Sequence, residues 1–204
     1  MRLLRRGGRR QPRGAPAELV VVGLGNPGAE YVGTRHNVGI EVVEVLAHRH
    51  RARLRREVGR ARSAPVLLGG HRVVLAVPDT FVNLSGQAVA PLVRRYCPEG
   101  DAARLVVIHD ELDLPPGRVR VKVGGGLAGH NGLRSVKDHV HSDAFLRVRI
   151  GVGKPPGRTT GADHVLRRPS KGERVELDVA VAEAADAVEL IATAGPEAAM
   201  NRFN

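Results

Sequence analysis

The chain has 204 residues, 42% of them hydrophobic, with a formal net charge of +11 at pH 7. Its length and apolar fraction fit one folded domain with a full core and argue against wholesale disorder. The single cysteine excludes an intrachain disulfide, and no apolar run reaches the roughly 18–20 residues that a membrane span needs. We therefore expect a cytoplasmic protein without a membrane segment.

The positive charge favours polyanionic partners, because basic side chains release counterions from phosphates. Arginine outnumbers lysine 28 to 4, however, and GC-rich coding produces the same bias without selection for binding. Residues 2–16 hold six arginines and no acid, and they lack the apolar stretch of a signal peptide. We expect residues 1–17 to be a disordered basic leader, with a tail that touches nucleic acid as the alternative.

The predicted elements alternate between strands and helices from the first apolar run onward. Residues 18–25 hold a short apolar run ended by glycines and are predicted as a buried strand. Thr34 is placed to cap a helix over residues 35–49, whose apolar side chains recur at helical spacing. Two further apolar runs, at 65–68 and 73–77, flank a glycine pair and predict a hairpin.

The rest of the chain continues this alternation. In chain order we predict a helix at 84–96, strands at 105–109 and 118–123, a helix at 131–141, a strand at 145–152, a loop at 153–161 and a long helix at 172–194. Interleaved strands and helices predict the α/β class, in which residues 18–204 form a single domain with a mixed twisted sheet covered by helices on both faces. The hairpin argues against a purely parallel sheet.

Short polar side chains stand in glycine-rich turns that lie far apart in the sequence. The segments are GLGNPGAEYVGTRHN, TFVNLSG, HDELDLPPG and GGGLAGHNGL, which begin at residues 23, 80, 109 and 124. They offer Asn26, His36, Asn83, Asp110 and Asn131 as candidates. If these groups converge, the imidazole takes a proton from water, the carboxylate orients the ring and the amides hold oxygens. The pattern therefore indicates general-base hydrolysis of a neutral carbonyl compound.

Several of these residues also have a structural interpretation that requires no catalytic role. Asp110 lies where a predicted strand runs out, the end at which open α/β sheets place ligands, but a turn Asp that caps backbone amides fits as well. Asn83 fits a helix N-cap equally well. His130 faces either a ligand or solvent, while the nearby acids Glu111 and Asp113 suit turn roles better than catalysis.

Several other site chemistries find little support. GLGNPG matches the dinucleotide fingerprint, but Gly33 interrupts the stretch and no second strand with an acid follows, so nicotinamide binding is disfavoured. The sequence holds no Gly-x-Ser-x-Gly nucleophile motif, no phosphate-binding Walker loop and no HExxH or paired Cys/His pattern. Cys97 is interpreted as a small packed residue. We expect neither a metal nor a cofactor.

Four long segments, in this order, resemble the bacterial peptidyl-tRNA hydrolases. They are VGLGNPGAEYVGTRHNVG at 22–39, FVNLSGQAV at 81–89, HDELDLPPGRVRVKVGGGLAGHNGLRSV at 109–136 and FLRVRIGVGKP at 145–155. The resemblance runs from about residue 19 to 203. It implies a single α/β domain and an esterase that cleaves the bond between a peptide and the 3′ ribose of tRNA, so that tRNA from aborted translation is recycled.

The resemblance also implies roles for individual residues. The catalytic set would be His36 as general base, Asp110 as its orienting carboxylate and Asn26. Asn26 and Asn131 would hold the peptide and the attacking water, and Asn83 would bind near the scissile ester. The substrate-binding set would be Tyr31 (against the terminal nucleotide), Phe81, Val82, Asn83, His130 and Asn131. The residues that bind the phosphates of the acceptor stem would be Arg118, Lys122, Arg134 and Lys137.

The chain departs from the family pattern at three places. Val82 replaces a usual methionine, Leu127-Ala128 replaces a His-Gly pair, and Asp163-His164 replaces an aromatic residue. The expected partner is the acceptor stem and 3′ end of peptidyl-tRNA, bound by a monomer. The main alternative is an RNA-binding relative of the same fold that does not catalyse hydrolysis, and the intact His, Asp and Asn set argues against it.

Overall fold

Seven strands pair into one mixed sheet in the structure, a computed structural model that describes residues 15–57, 59–155 and 157–204. The strands are β1 (Leu19–Gly23), β2 (Arg55–Glu57), β3 (Ala61–Leu68), β4 (His71–Pro78), β5 (Leu105–Glu111), β6 (Val119–Val123) and β7 (Leu146–Gly151). Their spatial order is β2-β3-β4-β1-β5-β7-β6. The four central strands are parallel, and β2, β3 and β6 run antiparallel to their neighbours.

Helices cover both faces of this sheet. They are α1 (Val38–Arg49), α2 (Ser85–Tyr96), α3 (Asn131–Val140), α4 (Gly161–Val165) and α5 (Lys171–Phe203), of which the last bends at Gly195. One apolar core joins α1 and α5 to the sheet, and a second joins α2 and α3 to its other face. The predicted α/β class and the mixed sheet with two covered faces are confirmed.

Most of the predicted elements are present, and the differences have physical reasons. Thr34 was expected to cap α1, but a short 3₁₀ turn, Arg35–Asn37, precedes the helix. The Thr34 hydroxyl donates to the carbonyl of Tyr31 at 2.7 Å and makes no cap bond. Strand β2 and helix α4 were not predicted. Charged residues form β2, so it lacks an apolar pattern and exists through its pairing with β3.

Close packing of glycine backbone brings the turn before α1 against the sheet. A Cβ atom on Gly39 would clash with the carbonyl of Ile108 in β5, and one on Gly23 would clash with the carbonyl of Gly39. Only glycine permits this approach of helix to strand. The 3₁₀ turn that carries His36 therefore lies directly against the carboxyl end of β5.

The predicted leader falls largely outside the described residues, which begin at residue 15. Ala17 is buried, and its N–H donates to the carbonyl of Tyr96 at 2.8 Å. The division between a leader at 1–17 and a domain at 18–204 stays a prediction. Within the described ranges, no helix combines the length and hydropathy required to cross a bilayer.

Candidate active site

A histidine and an aspartate, 74 positions apart in sequence, meet at the carboxyl end of β5. The Nδ1 atom of His36 lies 2.7 Å from Oδ1 of Asp110. The side chain of His36 is 11% exposed and that of Asp110 is 3% exposed, so the bond is shielded from water while the ring still reaches the surface of a cleft. Asp110 belongs to β5 itself, so the alternative of a turn residue that caps backbone amides is wrong.

His130 is the second partner of the same carboxylate oxygen. Its Nε2 lies 3.2 Å from Oδ1 of Asp110, and its Nδ1 accepts hydrogen bonds from the backbone N–H groups of Gly132 and Leu133 at the start of α3. A nitrogen that accepts two N–H groups carries no proton, so the neutral ring holds its proton on Nε2 and donates it to Asp110. His130 thus caps α3 and helps to fix the carboxylate.

The charges of this cluster shift one another's pKa values. Burial alone lowers the pKa of His36, but the charge of Asp110 and its hydrogen bond outweigh burial and raise the pKa above the ordinary value. Burial alone would raise the pKa of Asp110, but the imidazoles of His36 and His130 hold it well below its usual range. The carboxylate is therefore charged at neutral pH and stabilises a protonated His36.

His109 packs behind the cluster and stays neutral. Its ring lies 4.9 Å from that of His130, and its Nδ1 donates to the carbonyl of Asp110 at 2.7 Å. Burial, followed by the neighbouring His130, lowers its pKa to about 3. An uncharged ring at this position adds no positive charge that would oppose protonation of His36.

Asn26 is held in place by two neighbouring segments. Its backbone N–H donates to Oδ1 of Asn37 at 2.8 Å, and Nδ2 of Asn37 donates back to its carbonyl at 3.0 Å. The side-chain Oδ1 of Asn26 accepts from the N–H of Val82 at 2.8 Å. Among the described residues its Nδ2 has no partner, so this amide group is free to donate into the cleft. The role of Asn37 was not predicted.

These groups line a cleft of about 600 Å³. Every predicted catalytic residue and every predicted substrate-binding residue except Tyr31 is on its wall. The wall is formed by Asn26, His36, Phe81, Val82, Asn83, Asp110, Glu111, Leu112, Ala128, Gly129, His130, Asn131, Gly161, Ala162, Val165 and Leu166. Tyr31 packs edge-on against Phe81, with ring centroids 6.2 Å apart.

The structure decides some of the alternatives that the sequence left open. Asn83 is exposed on the cleft and does not cap α2, whose N-cap is Leu84 without a side-chain bond. Glu111 is buried in β5, where it accepts from the N–H of Asp113 at 3.2 Å and from Nε of Arg149 at 3.0 Å. Its turn-forming role is thus accompanied by an ion pair that was not predicted.

Helix α4 supplies the part of the cleft wall that sequence reasoning missed. The predicted loop ends at residue 161 and no element was predicted for 162–171, because five residues are too few for a periodic apolar pattern. A local signal was present, since Oγ1 of Thr160 accepts from the N–H of Asp163 at 3.1 Å and so caps α4. The spacing of threonine and aspartate matches a capping motif.

The predicted tRNA-binding residues lie at one edge of the sheet and on helix α3, the next helix along the chain. Arg118 and Lys122 are exposed on or beside edge strand β6, and Arg134 is exposed on α3. Lys137 differs from the others because its Nζ is 2.9 Å from Oδ2 of Asp143. Part of its charge is therefore neutralised within the protein.

Three side chains of the site resemble a metal-ligand set. Among the described residues, His36, Asp110 and His130 place possible ligand atoms within 4.8 Å of one another. Both ring nitrogens of His130 are already engaged, however, so a metal on Nε2 would have to displace a proton and weaken the cap of α3. The geometry suits a hydrogen-bonded network better than a metal centre.

Cys97 is buried, which raises its pKa to about 11 and makes it a poor nucleophile.

Several known proteins resemble this chain closely. The sequence profile described as peptidyl-tRNA hydrolase matches residues 20–204. The peptidyl-tRNA hydrolase of Frankia alni is 49% identical over 185 residues, which cover 91% of this chain and 93% of the relative. That of Leifsonia xyli is 50% identical over 187 residues, which cover 91% and 96%. The crystal structure of peptidyl-tRNA hydrolase from Acinetobacter baumannii superposes with a TM-score of 0.85 at 38% identity, covering 93% of this chain and 96% of that one.

Proposed function

Because the chain belongs to the peptidyl-tRNA hydrolase family, we propose that it cleaves the ester bond between a peptide, or an N-blocked amino acid, and the 3′ ribose of tRNA. The observation that carries the proposal is the shielded bond of 2.7 Å between His36 and Asp110 on the wall of the cleft. Such a hydrolase recycles tRNA from aborted translation. We further propose that it acts in the cytoplasm, as a monomer, on the acceptor stem and 3′ end.

In the proposed mechanism His36 is the general base. Its Nδ1–H donates to Asp110, so the lone pair of Nε2 is available to take a proton from water. The water attacks the ester carbonyl, and the protonated ring then returns the proton to the departing ribose oxygen. The charge of Asp110 stabilises the imidazolium between the two steps. An ester needs no stronger catalyst, because an alkoxide is a better leaving group than the amide anion that a peptide bond would have to expel.

Amide side chains are proposed to hold the reacting groups. The free Nδ2 of Asn26 is placed to donate to an oxygen of the peptide, and its orientation is fixed by the bond that Val82 donates to Oδ1. Asn83 and Asn131 line the same cleft and supply further donors for the ester and the attacking water. Donors held in advance by the fold stabilise the developing oxyanion without reorganisation.

The main alternative is an RNA-binding relative that does not catalyse hydrolysis. Such a protein would have no use for a buried carboxylate held between two histidines, since burial of an ion costs free energy that only a function or a strong network offsets. The test is the release of blocked amino acid from N-acetylaminoacyl-tRNA by the wild-type chain. Tight binding of this tRNA without its cleavage would favour the alternative.

The tRNA half of the substrate gives a prediction about salt. We expect KM for peptidyl-tRNA to rise steeply with salt, because each neutralised phosphate adds about 0.9 to the log–log slope on duplex nucleic acid. Charge reversal by Lys122→Glu should raise KM and flatten this slope. Cleavage of a peptidyl ester of a short 3′-terminal fragment should change little. Steady-state kinetics between low and high salt, on both substrates, measure these effects.

Two further variants serve as controls for this experiment. Arg55→Glu makes the same change in net charge on β2, at the opposite edge of the sheet, about 29 Å away if six strand spacings of about 4.8 Å are counted. Lys137→Glu should have a smaller effect than Lys122→Glu, because Lys137 is already paired with Asp143. Equal losses for Lys122→Glu and Arg55→Glu would show that net charge alone, and no defined face, attracts the tRNA.

A further inference from the structure

Arg35, the residue before His36, is buried and makes contacts far away in the sequence. Its side chain is 8% exposed. Its Nη1 lies 3.3, 3.1 and 3.3 Å from the carbonyl oxygens of His164, Arg167 and Arg168, and its Nη2 lies 2.8 Å from Oε1 of Glu173. Its backbone N–H also donates to the carbonyl of Arg167 at 3.3 Å. One guanidinium group thus binds a carbonyl of α4 and two carbonyls of the segment between α4 and α5.

Glu173 links this contact to the start of α5. While one of its carboxylate oxygens binds Arg35, the other accepts from the N–H of Ser170 at 2.8 Å, and Ser170 caps α5 in return. The hydrogen bond to Arg35 is the largest influence on Glu173 and lowers its pKa to about 2. The carboxylate therefore remains charged throughout the pH range of an enzyme assay.

The segment that Arg35 binds includes α4, which forms one wall of the cleft. Four cleft-lining residues lie on or just after α4, namely Gly161, Ala162, Val165 and Leu166. Helix α4 has only five residues, which is too short to be stable by itself. Residues 161–168 make few other described side-chain hydrogen bonds to the rest of the protein: His164 donates to the carbonyl of Val152 at 3.1 Å, and Arg168 donates to that of Val32 at 3.0 Å. Val165 also packs in the apolar core.

We propose that Arg35 is a positioning residue that fixes the α4 wall at a set distance from His36, and that Glu173 holds its guanidinium in place. The inference rests on the proposed hydrolase function. Arg35 and His36 share one 3₁₀ turn, so the same short backbone segment carries the base and the anchor of the α4 wall. The wall is apolar, and its position decides how tightly the peptide end of the substrate is held beside the base.

Lysine does not replace arginine in this role. A guanidinium presents several N–H groups in a planar fork and can donate to carbonyls and a carboxylate at once. An ammonium is a compact charge on one nitrogen and cannot span the same acceptors. Other contacts hold the base itself, since the bond between His36 and Asp110 involves no atom of residue 35. The proposal thus predicts a change in substrate binding with little change in proton transfer.

The test compares Arg35→Lys and Glu173→Gln with the wild-type chain. We expect KM for N-acetylaminoacyl-tRNA to rise about tenfold in both variants, while kcat falls less than about threefold and the pH profile keeps its shape. Hydrogen exchange of the amides at 161–170, measured without substrate, should be about tenfold faster. Glu173→Gln keeps an oxygen for the amide of Ser170, so it tests the anchor even if Arg35→Lys folds poorly.

A matched ion pair provides the control. Arg174 binds both carboxylate oxygens of Glu41, at 3.2 and 3.0 Å, and joins α5 to α1; none of its described side-chain hydrogen bonds or ion pairs is to α4. Glu41→Gln and Arg174→Lys should leave exchange at 161–170 and KM unchanged. Unchanged exchange in the Arg35 and Glu173 variants, or faster exchange with an unchanged KM, would overturn the proposal. An inactive wild-type protein would instead refute the proposed function, while the exchange result would still decide whether Arg35 holds the wall.

Discussion

Replacement of His36 by alanine is expected to lower the rate of peptidyl-tRNA hydrolysis by ~10²–10⁴-fold, the usual contribution of a general base. The ring lies at the cleft surface and its Nδ1 is bound to Asp110, which leaves its Nε2 to take the proton from water. His130 also contacts Asp110, but its Nδ1 accepts two backbone N–H groups and its Nε2 holds the proton. Release of blocked amino acid under single-turnover conditions measures the effect.

The fold should survive this substitution, because the ring contributes little to either apolar core. His36→Asn is a useful second variant, since its amide can still donate to Asp110 while it cannot accept a proton from water. Both variants should be equally slow and should melt near the wild-type temperature. His48→Ala, which removes an exposed histidine from α1, is the matched control and should retain full activity. Near-normal turnover by either His36 variant would remove His36 from the mechanism.

Substitution of Asp110 by asparagine is expected to lower kcat on the order of 10²-fold and to move the pH profile. The neutral amide can keep approximate hydrogen-bond geometry, but it loses the charge that stabilises imidazolium. In the wild-type protein this charge raises the pKa of His36 against the effect of burial. Without it burial dominates and the pKa of His36 falls, so the limb of the profile at which the base loses its proton should move to lower pH.

The pH dependence of kcat for the two proteins measures this shift directly. Asp113→Asn provides the control, because Asp113 is an exposed acid three residues further on that pairs with Lys154 at 3.0 Å. It should leave both kcat and the profile unchanged. An Asp110→Asn profile that coincides with that of the wild type would mean that the carboxylate only shapes the end of β5.

Much of this architecture could be predicted because its signals are local. The apolar run of β1, the glycine pair between β3 and β4, and the helical spacing in α1 each lie within a few consecutive residues. A strand such as β2 has no such signal, since its residues are charged and its structure depends on a neighbouring strand. Short helix α4 was missed because five residues carry no periodic apolar pattern, and the carbonyl of His164 within it is bound by Arg35, more than 120 residues away in sequence.

The features of the candidate site also fall into those that the sequence predicts and those that depend on folding. The sequence by itself determined the residue types, the glycine-rich turns and the family, and these suffice to name His36, Asp110 and Asn26. Only the tertiary structure decided which nitrogen of His130 carries a proton, which group donates to the side-chain oxygen of Asn26, and that Arg35 binds carbonyls at the end of α4 and just after it. Such features depend on distances between segments that the chain brings together only on folding, and a pKa or a tautomer is a property of those distances.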